Sequence, residues 1–79
     1  MDAVIYCRDA DHESELLREH LEELGIEARM RNVEADPGAW REWERLDGEV
    51  TPLLVLDRRS IVRGLDRTRV DQLVGWIGC

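Results

Sequence analysis

Between Tyr6 and Leu17 the sequence reads YCRDADHESELL, placing Cys7, Asp9, Asp11, His12, Glu13, Ser14 and Glu15 within nine positions. Two chemistries are open to such a set. The first is sulfur chemistry at Cys7, whose thiolate is the nucleophile and gains from a neighbouring cation such as Arg8. Against it, Asp9 and Asp11 raise a thiol pKa, and Cys7 directly follows Tyr6, leaving no loop to carry it to a helix start. Cys7 therefore reads as the last, half-buried and inert residue of a strand, with a displaced monothiol nucleophile as the alternative. The second chemistry is metal binding by His12 with Asp9, Asp11 and Glu13. No Cys or His recurs at zinc spacing, so a solvated acidic turn capping a helix is expected here and no metal site.

Glu13, Glu15, Glu19, Glu22 and Glu23 form the charged outer face of that helix, with Glu15 spaced to meet Arg18. His20 falls between Leu17 and Leu21 and is expected at the core margin. Trp40, Trp43 and Trp76 are more than a chain of this size readily buries. Either Trp43 fills the core while Trp40 lies along the surface, or the exposed rings mark a partner or self-association surface, giving a monomer or a weak dimer.

These groups need elements to hold them. AVIY, Ala3 to Tyr6, reads as a short buried strand. Leu16, Leu17, Leu21 and Leu24 recur at helical spacing with His20, and Gly25 supplies the left-handed stop. IEARMRNV alternates Ile26, Ala28 and Met30 with polar partners, the period of a strand with one face covered. Asp36 and Pro37 open a second helix carrying Trp40, Trp43 and Leu46, with Gly48 closing the segment. PLLVLD, the break DRRS and IVR form an antiparallel hairpin, and Asp66 caps a last helix with Val70, Leu73, Val74 and Ile77 inward. The order β-α-β-α-β-β-α predicts a four-stranded mixed sheet flanked by three helices, because strands joined through a helix run parallel and the hairpin adds an antiparallel edge. Thr51-Pro52 opens the third strand, where proline is tolerated, and a cis bond is expected there.

Composition bounds the rest. The 79 residues make one domain, 1–79, which buries about 60% of the surface its unfolded chain would expose. The net charge is −7 and every basic side chain apart from histidine is arginine, which argues against nucleic acid as a partner. Two cysteines make no disulfide framework, and Cys79, at the far end of the last helix, is expected not to bridge to Cys7. Nothing resembles a secretion signal or an apolar run of membrane-spanning length. The expectation is a soluble cytoplasmic protein with reduced thiols.

The whole chain resembles a small glutaredoxin, nearest to the short glutaredoxin-like redoxins that donate electrons to ribonucleotide reductase. In that family a strand ending in tyrosine leads through a short loop to C-x-x-C and then to a helix ending in Gly-Ile. Tyr6 and Gly25-Ile26 match those landmarks without a gap, VTP matches the proline loop facing the dithiol, and RGLD resembles the turn before the last helix. The family cysteines then fall on Asp11 and Ser14, so that DHES stands where C-x-x-C should be. The resemblance implies the thioredoxin-like fold, a role in cell redox homeostasis, and a ligand groove formed by Asp11, Ser14, Thr51, Pro52, Gly64 and Asp66. Without the dithiol, it implies a module that binds a peptide or thiol partner beside Thr51-Pro52, with no resident cofactor. The alternative is a monothiol oxidoreductase using Cys7 and glutathione.

Overall fold

A computed structural model describes residues 1–77, Trp76 and Ile77 by their backbone alone. The expectations for the Trp76 ring, the Ile77 side chain and Cys79 lie outside the described residues. The elements run β1 (Ala3–Cys7), α1 (His12–Glu23), β2 (Arg29–Asn32), α2 (Pro37–Arg45), β3 (Leu53–Leu56), β4 (Ser60–Arg63) and α3 (Arg67–Ile77). The sheet order is β2-β1-β3-β4. β1 lies parallel to β2 and antiparallel to β3, and β3 is antiparallel to β4. This is the four-stranded mixed sheet with three helices that the element order predicts.

The central strands β1 and β3 are buried at every position, which is why both read as unbroken apolar runs. Alternate residues then serve opposite faces. Ala3, Ile5, Cys7, Leu54, Leu56 and Val62 pack with Leu17 and Leu21 of α1 and Val70 and Leu73 of α3. Val4, Tyr6, Leu53 and Val55 pack on the other face with Ala39 and Trp43 of α2.

The helix ends follow local chemistry. α1 stops in a Schellman turn, with Gly25 at φ 79 and its amide donating to Glu22 O while Ile26 N donates to Leu21 O. α2 ends the same way, but the left-handed residue is Asp47, φ 55, and Gly48 is not the stop. Gly48 has a different constraint: a Cβ there would come within 2.6 Å of Trp43 Cγ. The glycine is the flat surface on which the Trp43 ring rests. Leu24, expected on the inward stripe of α1, is the cap residue and is exposed, while Ser14 is buried in line with Leu17 and Leu21. β1 ends at Cys7, the strand-terminal residue expected, while β2, expected from Ile26, begins only at Arg29.

Gly48→Ala is expected to destabilise the domain by about 1–3 kcal/mol, the usual cost of forcing extra volume into a packed core. Urea unfolding followed by tryptophan fluorescence measures it.

Candidate functional site

The strand register assembles one end of the sheet. Tyr6 pairs with Leu53 and Leu53 with Arg63, so one step further Cys7, Pro52 and Gly64 lie in a row across β1, β3 and β4. The Gly64 amide donates to the Pro52 carbonyl at 2.8 Å, and Gly64 takes φ 76 to do so. The Thr51–Pro52 peptide bond is cis; Pro52 is buried and Thr51 half-buried. Asp66 caps α3, accepting from Arg69 N at 3.0 Å, and is exposed.

Asp11 and Ser14 meet at the first turn of α1. Asp11 is the N-cap, accepting from Ser14 N at 3.4 Å, and the Ser14 hydroxyl donates to Asp11 Oδ2 at 2.7 Å. Asp11 and Ser14 are thus joined by a short side-chain hydrogen bond. Ser14 is only 1% exposed and its polar atoms are satisfied. Ala10, just before the cap, sits at φ 55, a conformation that costs roughly 1–2 kcal/mol. A cap worth about 1 kcal/mol and a hydrogen bond to a charged acceptor worth about 1.5–3 kcal/mol outweigh it.

Cys7 is buried, 7% exposed, and its thiol donates to the Arg31 carbonyl at 3.6 Å. Its pKa is raised, first by burial and then by Asp11, Glu15 and Asp9. Arg8, the cation that could have favoured a thiolate, points its guanidinium over the Trp43 ring, 5.3 Å from the centroid, and pairs with Glu34 at 3.7 Å. Cys7 nevertheless lines an opening of about 310 Å³ together with Arg8, Ala10, Asp11, His12, Glu15 and Met30. Asp11 shares this opening, whereas Ser14 does not line it. Among the described residues no group of three or more His, Cys, Asp and Glu side chains is placed to hold a metal ion.

Two positioning contacts escaped the sequence reading. Asn32 Nδ2 donates to Asp9 Oδ1 at 2.5 Å while its Oδ1 accepts from Glu34 N and Ala35 N, tying the loop before α1 to the turn before α2. The run NVEADP carries the signal, since asparagine so placed favours a turn closed by its own side chain. Trp43 Nε1 donates to the Val50 carbonyl at 3.1 Å and so anchors the residue before Thr51. Of the other groups, Trp40 is 39% exposed and tilted against Trp43, as the first of the two readings for the tryptophans has it. His20 contacts Asp71 of α3 at 2.7 Å from the core margin.

No family model and no curated protein matches the sequence. Solved structures do match its shape. The glutaredoxin-like protein NrdH-redoxin from Escherichia coli superposes with a TM-score of 0.79 at 19% identity, over 92% of this chain and 95% of that one. A crystal structure of a thioredoxin-like protein gives 0.80 at 22% identity, over 91% and 99%. The glutaredoxin from Methanosarcina mazei Go1 gives 0.79 at 11% identity, over 94% and 78%. The fold is therefore the thioredoxin-like fold in its small, glutaredoxin-type form. At these identities the likeness defines the fold and leaves the chemistry to the side chains.

Two outcomes follow from the site. Asp11→Ala should destabilise the domain by about 0.5–2 kcal/mol through loss of the α1 cap, read by chemical denaturation. Because the folded Cys7 pKa is raised, the unfolded thiol ionises first, at about 8.5. The stabilisation from a neutral Cys7 is complete below that pH and is lost as pH rises through the folded pKa. Unfolding free energy should therefore fall on going from pH 7 to pH 9.5, with a smaller fall in Cys7→Ala.

Proposed function

We propose that this chain is a redoxin-fold binding module whose dithiol has been replaced by a carboxylate and a hydroxyl, and that it holds a peptide or thiol ligand, such as glutathione, beside Thr51-Pro52. The observation carrying this reading is the 2.7 Å hydrogen bond from the Ser14 hydroxyl to Asp11 at the N-terminus of α1. Thiol-disulfide exchange needs a thiolate to attack one sulfur of a disulfide and a second thiol to resolve the product. A carboxylate keeps the negative charge at the helix terminus but forms no bond to sulfur, and serine resolves nothing. What is retained is the backbone around Thr51, anchored through Val50 to Trp43, which suits an extended ligand. The setting is a reducing cytoplasm, where such a module would serve redox homeostasis by binding alone. Trp40, beside Trp43, offers a surface for a protein partner or a weak dimer.

One observation favours a second reading: Cys7 opens into the same cavity as Asp11. In that case the Cys7 thiolate attacks a mixed disulfide, releases one thiol, and glutathione thiolate then regenerates Cys7 as glutathione disulfide forms. The raised pKa of Cys7 and the burial of its thiol weigh against it.

A turnover assay with a small glutathione mixed disulfide separates the two. The binding module gives no rate above background, and Cys7→Ser leaves that unchanged; activity lost in Cys7→Ser would establish the monothiol reading instead. Asp11→Cys with Ser14→Cys should restore a dithiol that closes to an intramolecular disulfide with oxidised glutathione, two glutathione thiols being released. A folded double variant that stays fully alkylatable after oxidation would show that the two positions are not those of the family's dithiol.

A further inference from the structure

One helix cannot cover one whole face of this sheet. Four strands at about 4.8 Å spacing present a face roughly 15–19 Å wide, and a helix is about 10–12 Å across with its side chains. α2 is alone on its side, against α1 and α3 together on the other. The uncovered part is a cleft of about 460 Å³, larger than the opening at Cys7. Val4, Val55 and Leu46 give it apolar surface, and Tyr6, Glu42, Asp2 and three arginines, Arg29, Arg31 and Arg58, complete its lining.

The three guanidiniums differ in what occupies them. Arg31 is committed: it donates to Asp36 at 3.0 Å and to Glu42, and Glu42 also accepts from the Tyr6 hydroxyl at 3.0 Å. Tyr6 stays neutral, its pKa pushed up to about 12 by burial and by Glu42. Arg29 and Arg58 share a single carboxylate, Asp2, at 3.5 and 3.9 Å. Both distances are well beyond the roughly 2.7–2.9 Å of a good charge-assisted bond. Two largely exposed guanidiniums thus reach one loosely held carboxylate at the mouth of the cleft. The Asp2 backbone is pinned independently, its N–H donating to Asp57 Oδ1 and its carbonyl accepting from Asp57 N, both at 2.8 Å. Its side chain can therefore leave without loss of the strand end.

We propose that this cleft is a second binding site, for a small carboxylate with a flat apolar body, whose carboxylate takes the place of Asp2 between Arg29 and Arg58 while its body covers Val4, Val55 and Leu46. Asp2 shows that one carboxylate reaches both guanidiniums, though loosely, and half-buried Leu46, with the edges of Val4 and Val55, leaves apolar surface beside it. An arginine offers five donors, and among the described residues Arg29 and Arg58 reach the Asp2 carboxylate at 3.5 and 3.9 Å. The site is separate from Thr51-Pro52 and stands or falls independently of the function proposed above.

The test is an NMR titration of the full chain with sodium benzoate, with benzyl alcohol and inorganic phosphate as controls. Saturable shifts at Val4, Tyr6 and Val55 with benzoate alone are expected. Asp2→Asn, which removes the internal competitor, should tighten binding by about fivefold, the factor corresponding to one exposed ion pair. Arg29→Gln with Arg58→Gln should weaken it by about tenfold or more. An equal response to benzyl alcohol would reduce the cleft to an apolar patch, and an equal response to phosphate would reduce it to a charge effect; either overturns the proposal. So does the absence of saturable shifts, or an affinity unchanged in Asp2→Asn, a result that holds even if the double arginine variant does not fold.

Discussion

Both faces of β1 and β3 must be kept from water, since every residue of these two strands is buried. A domain this small has three helices with which to do it, and the connectivity puts two of them, α1 and α3, on the same side. The opposite face depends on α2, nine residues long, and therefore on a large side chain. Trp43 supplies the area, and its seating explains Gly48 and the hydrogen bond to Val50. The same shortage of cover leaves the arginine-lined cleft beyond α2.

Because β1 and β3 are antiparallel, the C-terminal end of one meets the N-terminal end of the other, and this alone brings Cys7, Pro52 and the α1 terminus to one end of the sheet. Position decides chemistry there. A hydrogen-bond acceptor at a helix N-terminus is favoured by the free amides and the helix dipole, and the Asp11 side chain meets that need as the cap. Cys7 lies one element earlier, inside the core layer, where burial and three neighbouring carboxylates all oppose the thiolate. The loop between them is held in shape by Ala10 in its left-handed conformation and by Asn32 reaching to Asp9.

Arginine is the only strongly basic side chain in the chain, and its geometry is used locally. Arg18 bridges Glu15 and Glu22 along α1, Arg31 joins β2 to Asp36 and Glu42 of the α2 segment, and Arg8 lies on Trp43. A guanidinium binds two carboxylates at once or stacks on a ring, which a lysine ammonium does less well. Arg8 and Arg31 thus sit where elements meet, while Arg18 ties the outer face of α1.

Much was determined by the sequence alone. Apolar runs, helical stripes, Asp11, Asp36 and Asp66 as caps, Gly25 as a stop and the strand-opening proline are local signals, each set by backbone geometry within a few residues, and together they define the element order and hence the sheet. That Asp11 and Ser14 share the first turn of α1 was also legible, because it rests on their spacing at the start of the helix. Only the tertiary structure decided which side chains face which. The burial of Ser14 against Asp11, the exposure of Leu24, the diversion of Arg8 to Trp43 and the meeting of Arg29 with Arg58 across a cleft all depend on helix phase and on residues far apart in the chain. Such contacts leave no periodic trace in the sequence: burial of a polar group or the choice of an ion-pair partner is settled by the three-dimensional competition for a few neighbouring sites.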